Sequence, residues 1–168
     1  MSVDKVIRER RSIRKFLKKD VPKDLVLKIL DAARWAPSSK NSQPWEFIII
    51  RKEEIKKKLA KLARYGWFIA EAPVVIAVVT DPQKSYAHLI DGACAVQNLM
   101  LAAWELGLGT CWIGTMDREK AKEVLGIPEN LHLLTVVPLG YPEETPMPPS
   151  RKPLEKIVYY ENYGRKDL

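Results

Sequence analysis

The sequence predicts an α+β fold, and three observations lead to this class. Helical and strand-like segments alternate along the 168 residues, but only four or five are short, apolar and β-branched enough for strands. A long apolar segment in mid-chain is typical of one central helix. The first two strand candidates, residues 45–51 and Val74–Thr80, lack the glycine fingerprint of a dinucleotide-binding fold. We therefore expect a single domain over residues 1–168 and not a doubly wound sheet.

In the first half of the chain, prolines and side-chain periodicity set the boundaries. Pro22 suits the first position of a helix whose apolar residues recur at helical spacing, and Pro37 ends that helix near Trp35. The expected elements are a short helix at Val3–Glu9, this second helix, a polar loop at 38–44, a strand at 45–51, an amphipathic helix at 52–64 and a buried strand at Val74–Thr80.

The second half begins with the long apolar segment, residues 87–108. Asp91, Asn98 and Glu105 recur every seven residues, so one stripe of this helix is polar and the remainder is expected to be covered. Such a helix is central in its domain or lies in a subunit interface. It ends at glycines 107 and 109 and is followed by a strand at 110–115, a helix at 117–125 and a strand at 133–140.

After Tyr141 the chain becomes rich in proline and ends in a strand-like run at 156–160. Proline excludes a core helix there and makes the segment stiff and extended. An extended segment that carries a terminal strand has little to pair with in its own domain. We therefore expect residues 145–168 to form an arm that crosses to a neighbouring subunit.

Composition narrows the class of protein. The N-terminus lacks the apolar core of a signal peptide, and no run reaches the roughly 18 apolar residues of a membrane span. Cys94 and Cys111 are too few for a disulfide framework or a metal site, so we expect a cytoplasmic protein without a bound metal. The net charge of +7 favours anionic partners. Many lysines belong to the solvent-exposed face of the helix at 52–64, which argues against a groove that binds nucleic acid.

Three segments carry candidate chemistry. The first is a basic cluster, Arg10, Arg11, Ser12 and Arg14, which alone could be a solvated surface or an anion site. The second is the hydroxyl- and amide-rich loop at 36–45, and the third is the strand end at 109–114, where glycine allows close approach of a flat ligand. His88 and His132 are interpreted as structural.

Taken together and in order, these segments resemble the nitroreductase family of flavin enzymes. The resemblance covers nearly the whole chain and rests on five pieces: RRSIRKF at 10–16, APSSKNSQPW at 36–45, DGACAVQNL at 91–99 leading into GLG at 107–109, VPLGYP at 137–142 and SRKPL at 150–154. It implies a mixed sheet flanked by helices, a dimer-interface helix and an arm exchanged with the partner subunit.

The resemblance also implies a homodimer with FMN in a cleft between the subunits. Arg10 and Arg11 would then face the phosphate and ribityl end with Ser12 beside them, and Arg151 would close on the phosphate. Arg14 would lie near N1 and the C2 oxygen, where a cation stabilises the charge of the reduced ring.

Further site residues follow from the same resemblance. Pro37, Ser38, Ser39 and Asn41 would reach the flavin from the other subunit. The backbone of Trp112, Ile113 and Gly114 would line the ring, with one amide bonded to N5.

The implied activity is hydride transfer from NADH or NADPH to nitroaromatic, quinone or similar acceptors with ping-pong kinetics. No catalytic side chain is required, because the flavin carries the chemistry. In larger members of the family, polar residues in this part of the chain often contact the edge of the flavin ring. Here residues 65–68 take their place and would form an aromatic lid or a hydrophobic plug. A reductive dehalogenase or flavin-fragmenting synthase remains an alternative, as does a non-catalytic flavin- or polyanion-binding protein.

Overall fold

The fold is built around a four-stranded sheet, seen in a computed structural model that describes residues 2–167. The strands are β1 (Trp45–Ile50), β2 (Val74–Thr80), β3 (Gly109–Thr110) and β4 (His132–Gly140). Their order across the sheet is β1-β2-β4-β3, and every neighbouring pair is antiparallel. A bulge interrupts the β2–β4 register at Val78 and Val79.

Five helices accompany the sheet in the described part of the chain. They are α1 (Val3–Glu9), α2 (Lys23–Arg34), α3 (Glu53–Leu62), α4 (His88–Glu105) and α5 (Arg118–Leu125). Short 3₁₀ turns lie at Ser39–Asn41, Trp67–Ile69 and Leu154–Lys156. The α+β class is confirmed, and each predicted helix is present: α1 has the predicted ends and the other four are slightly shorter.

The sheet is covered on both faces, which gives three layers. In β2 every residue is buried, and successive side chains alternate between the two faces. Val75 and Ala77 belong to the core that includes residues of α3 and α5, whereas Val74 and Ile76 belong to the core that includes residues of α2 and α4. Burial on both faces explains why β2 is a continuous apolar run and not an alternating one.

The strand predicted at 110–115 is shorter than expected. Only Gly109–Thr110 pairs regularly with β4, and residues 111–114 then run beside it with two long bonds: Cys111 N–H donates to Pro138 O at 3.4 Å and Ile113 N–H to Val136 O at 3.3 Å. The segment leaves the sheet here, so the backbone groups between these two N–H groups form no hydrogen bonds with β4.

The predicted terminal strand at 156–160 is wrong for this chain on its own. The run begins in the 3₁₀ turn Leu154–Lys156 and contains no strand, and most of residues 143–163 are exposed. The sheet also differs from the expected mixed sheet. Its strand pairs are antiparallel, and parallel pairing is confined to one isolated bridge, between Ser12 and Thr110. Among residues 2–167, no helix has the length and apolarity needed to cross a membrane.

Candidate functional site

The basic cluster is fixed against the end of the sheet. Helix α1 ends at Glu9, and the chain then passes beside β3, where Ile13 N–H donates to Thr110 O at 2.8 Å. The approach is close because Gly109 has no side chain: a Cβ there would lie 2.4 Å from Ile13 Cγ1. Fully buried Ile13 thus anchors a short segment whose arginines flank it in sequence.

The arginine cavity lies between this segment and the proline-rich arm and has a volume of about 310 Å³. The structure brings together here the four residues predicted for the phosphate and ribityl end, Arg10, Arg11, Ser12 and Arg151, and also Arg14, which was predicted for the ring. The lining residues are Arg10, Arg11, Ser12, Arg14, Pro146, Met147, Pro149 and Arg151. The three arm residues before Arg151 were missed, because only tertiary folding shows that the arm turns back over the cluster.

The electrostatics of the arginine cavity favour an anion. Burial and the nearby cations Arg11 and Arg151 lower the pKa of Arg10. Arg11 Nε is buried without a hydrogen-bond partner, and none of the four arginines forms an ion pair with an acidic side chain within residues 2–167. Concentrated positive charge with no carboxylate to balance it is suited to a phosphate group.

A second, smaller cavity of about 180 Å³ shares Arg14 with the first and is lined mainly by aromatic rings and backbone. The Arg14 guanidinium lies 6.0 Å from the centroid of the Phe68 ring, at the limit of a cation–π contact. The lining residues are Arg14, Tyr65, Gly66, Phe68, Cys111, Trp112, Ile113, Gly114 and Thr115. We call this the ring cavity. It contains all three predicted backbone residues, and Thr115 and Cys111 are additions.

Cys111 is a buried lining residue of the ring cavity, and its thiol is not activated. Burial raises the pKa of its thiol, although Arg14, Ser12 and Arg10 act in the opposite direction. A protonated thiol is a packing group and not a nucleophile at neutral pH. The site thus offers no activated side-chain nucleophile here.

The polar loop lies elsewhere on this protomer. Pro37, Ser38, Ser39 and Asn41 border neither cavity. Ser39 N–H instead donates to buried Asp91 at 3.2 Å, which ties the loop to α4. Lys40, Asn41 and Gln43 have positive φ angles of 54°, 55° and 46°, an uncommon concentration of left-handed backbone outside glycine.

The aromatic run at 65–68 divides into two parts. Phe68 is buried in the core, which favours the plug over the lid, whereas Tyr65 and Trp67 are 70% and 56% exposed. The two histidines have packing roles, in line with their structural interpretation. The ring centroids of His88 and His132 are 5.8 Å apart, and Thr80 Oγ1 lies 2.9 Å from His88 Nδ1.

Comparisons with known proteins identify the family of this chain. The model of the family described as the Nitroreductase family matches residues 7–71 and 64–141. A protein of Methanothermobacter thermautotrophicus with the provisional name NADH dehydrogenase/NAD(P)H nitroreductase is 40% identical, over 93% of this chain and 88% of its own length. An NADH dehydrogenase of Thermus thermophilus is 31% identical, over 90% of this chain and 92% of its own.

Solved structures give the same result. An FMN-dependent nitroreductase of Clostridium difficile R20291 superposes with a TM-score of 0.89 at 30% identity, covering 96% of this chain and all of that chain. Relatives at lower identity include an iodotyrosine deiodinase of Thermotoga neapolitana at 26% and a 5,6-dimethylbenzimidazole synthase of Rhodospirillum rubrum at 27%.

Proposed function

Since the chain belongs to the nitroreductase family of NAD(P)H oxidoreductases, we propose that it is an FMN-dependent enzyme that reduces nitroaromatic, quinone or similar acceptors. The observation that carries the proposal is the pair of cavities that share Arg14 in their linings. One is rich in unpaired arginines and the other is lined by rings and backbone, which suits a flat molecule with a phosphate at one end.

The residues present fit FMN. The buried, unpartnered Nε of Arg11 and the cations around Arg10 call for an anion, and the arginine cavity would hold the phosphate and ribityl end. Arg151 reaches this cavity from the arm, and among residues 2–167 its side chain bonds only to the carbonyls of Pro149 and Ser150, at 3.2 Å each, which leaves its charge available. When bound, FMN would supply hydride acceptance and donation at N5.

The protein's own contribution is electrostatic and geometric. Arg14 borders both cavities, so its charge would offset the negative charge of a reduced ring. The backbone of residues 112–114 would line the ring, and one of its amides that is not bonded within the sheet would donate to N5. No side chain is assigned as acid, base or nucleophile, and one site would serve donor and acceptor in turn. Initial-rate plots that form parallel lines would support that ping-pong order, whereas intersecting lines would exclude it.

We further propose a homodimer that completes the site. An apolar groove of about 510 Å³ runs between α1, α2 and α4, and Val3 and Trp35 in its lining are more than two-thirds exposed. A second copy would cover this surface. It would also bring the strained loop of Pro37, Ser38, Ser39 and Asn41 to the partner's flavin and give the arm at 145–168 a surface to cross.

Absorbance of the purified protein tests the cofactor. We expect a yellow protein that retains FMN, or takes it up with a fluorescence change when it is added to the colourless form. Anaerobic mixing with NADH and with NADPH should bleach the flavin band. A chain that stays colourless with excess FMN would refute the proposal, and a yellow chain bleached by neither donor would be a flavin carrier.

An acceptor panel then separates the activities within the family. A nitroaromatic, a quinone and a halogenated phenol are offered to the reduced enzyme, and reoxidation of the flavin is followed. Reoxidation by the first two supports the reductase; reoxidation by the halophenol alone indicates a dehalogenase. Loss of the flavin itself under oxygen indicates a flavin-fragmenting synthase.

A further inference from the structure

An arginine that does not line the ring cavity is hydrogen-bonded to the loop that does. Arg118, the first residue of α5, is half-buried and binds two carbonyls. Its Nη2 donates to Gly114 O at 3.0 Å and its Nε to Leu134 O at 3.2 Å. Leu134 belongs to β4, so one guanidinium fastens the cavity loop to the sheet.

The position of Arg118 is poorly explained by stability alone. A cation in the first turn of a helix opposes the helix dipole. Its charge also adds to the lowering of the pKa of His132, which is caused mainly by burial. Within residues 2–167 it forms no ion pair, and the nearby Asp117 is paired with Lys120 instead.

The bond to Gly114 O affects the peptide that joins Gly114 to Thr115. A charged donor on a carbonyl polarises the peptide and strengthens the N–H at its other end. Here that N–H belongs to Thr115, whose own carbonyl accepts from Arg64 N–H at 3.3 Å. The N–H groups of Gly114 and Thr115 have no acceptor anywhere in residues 2–167, and both residues line the ring cavity.

We propose that Arg118 is a positioning residue for the bound flavin. It holds the Gly114–Thr115 peptide in one orientation, so that the free N–H of Thr115 remains available to the ring beside that of Gly114, and it makes the Thr115 N–H a stronger donor. The identity of the ligand rests on the proposed function, whereas the ordering of the peptide does not.

Two substitutions separate this role from plain structural support. Arg118→Met removes the charge and both donors, and Arg118→Lys keeps the charge but cannot serve two carbonyls with a rigid fork. Arg51→Met is the matched control, because Arg51 also bonds a carbonyl, Val21 O at 2.6 Å, yet borders neither cavity. All variants are studied as the full-length protein.

The first readout needs no flavin. We expect the ¹⁵N order parameters of Gly114 and Thr115 to fall from about 0.85 to below about 0.6 in Arg118→Met and to stay high in Arg51→Met. In the second, the dissociation constant of FMN rises about tenfold in Arg118→Met and less in Arg118→Lys. The reduction potential of bound FMN also changes in the Arg118 variants alone.

Unchanged order parameters and FMN affinity in Arg118→Met would overturn the proposal, as would equal losses in Arg51→Met. If Arg118→Met does not fold, Arg118→Lys decides by the same measurements. If the unsubstituted protein binds no FMN, the proposed function fails, and the order parameters alone decide whether Arg118 orders the loop.

Discussion

The contact between Gly109 and Ile13 holds the arginine segment against the sheet, and Gly109→Ala tests it. The new Cβ would lie 2.4 Å from Ile13 Cγ1 and 2.7 Å from Ile13 Cβ, roughly an ångström closer than ordinary carbon contacts. Ile13 is fully buried and β-branched, so it cannot rotate away. The segment that carries Arg10, Arg11 and Arg14 must therefore move outward.

The expected cost is that of an overpacked core, about 1–3 kcal/mol. For a chain of this length, that lowers the melting temperature by about 2–12 °C. The dissociation constant of FMN should rise by at least about tenfold, because charged hydrogen bonds to phosphate weaken steeply once the guanidinium groups are displaced. Thermal unfolding without FMN and titration with FMN measure the two effects separately.

A double-mutant cycle provides the control. Ile13→Ala removes the overlapping Cγ1 and costs about 2–5 kcal/mol alone, but combined with Gly109→Ala it should cost less than the sum of the two. Ile13→Val retains Cγ1 and should give no such relief. Additive losses in the alanine pair, or equal relief by valine, would refute the steric argument.

Three further outcomes are expected. Arg14→Ala weakens FMN binding and lowers the potential of bound FMN, while Arg8→Ala on the exposed face of α1 does neither; an unchanged potential contradicts the role of Arg14. Burial and then His88 lower the pKa of His132 below 6.5, so the unfolded chain binds the proton first and stability falls as pH drops below 6.5. His132→Asn should flatten that slope in melts between about pH 8 and pH 5, and an equally steep slope would assign the effect to other groups. Gly126→Ala places a side chain at a residue with φ +66°, where no atom lies within 4 Å of the new Cβ. The left-handed backbone alone should cost about 1–2 kcal/mol of stability, and FMN affinity should stay unchanged. A loss of affinity would show that α5 is coupled to the site.

The local elements could be predicted from sequence because their signals are local. The boundaries of α2 follow from Pro22 and Pro37, and β2 is recognisable as a buried run because both of its faces are covered. The terminal strand is absent from this protomer for the opposite reason. Residues 156–160 have strand-like side chains, but a strand exists only where another strand offers it hydrogen bonds.

The candidate site was predictable only in part. The resemblance named the arginines, Ser12 and the backbone at 112–114, and the structure places them around two cavities that share Arg14. The roles of Pro37, Ser38, Ser39 and Asn41 remain predictions, since these residues lie away from both cavities on their own protomer.

The sequence by itself determined the α+β class, the helices and the family, because each depends on periodicity, prolines and motif order along the chain. Only the tertiary structure decided which charges share a cavity and which carbonyls meet Arg118. Arg10 and Arg151 are 141 positions apart, and the pKa of Arg10 is lowered partly because folding brings the two cations together against their repulsion. Such contacts depend on how the sheet, helices and arm pack in space, and no local pattern in the sequence predicts them.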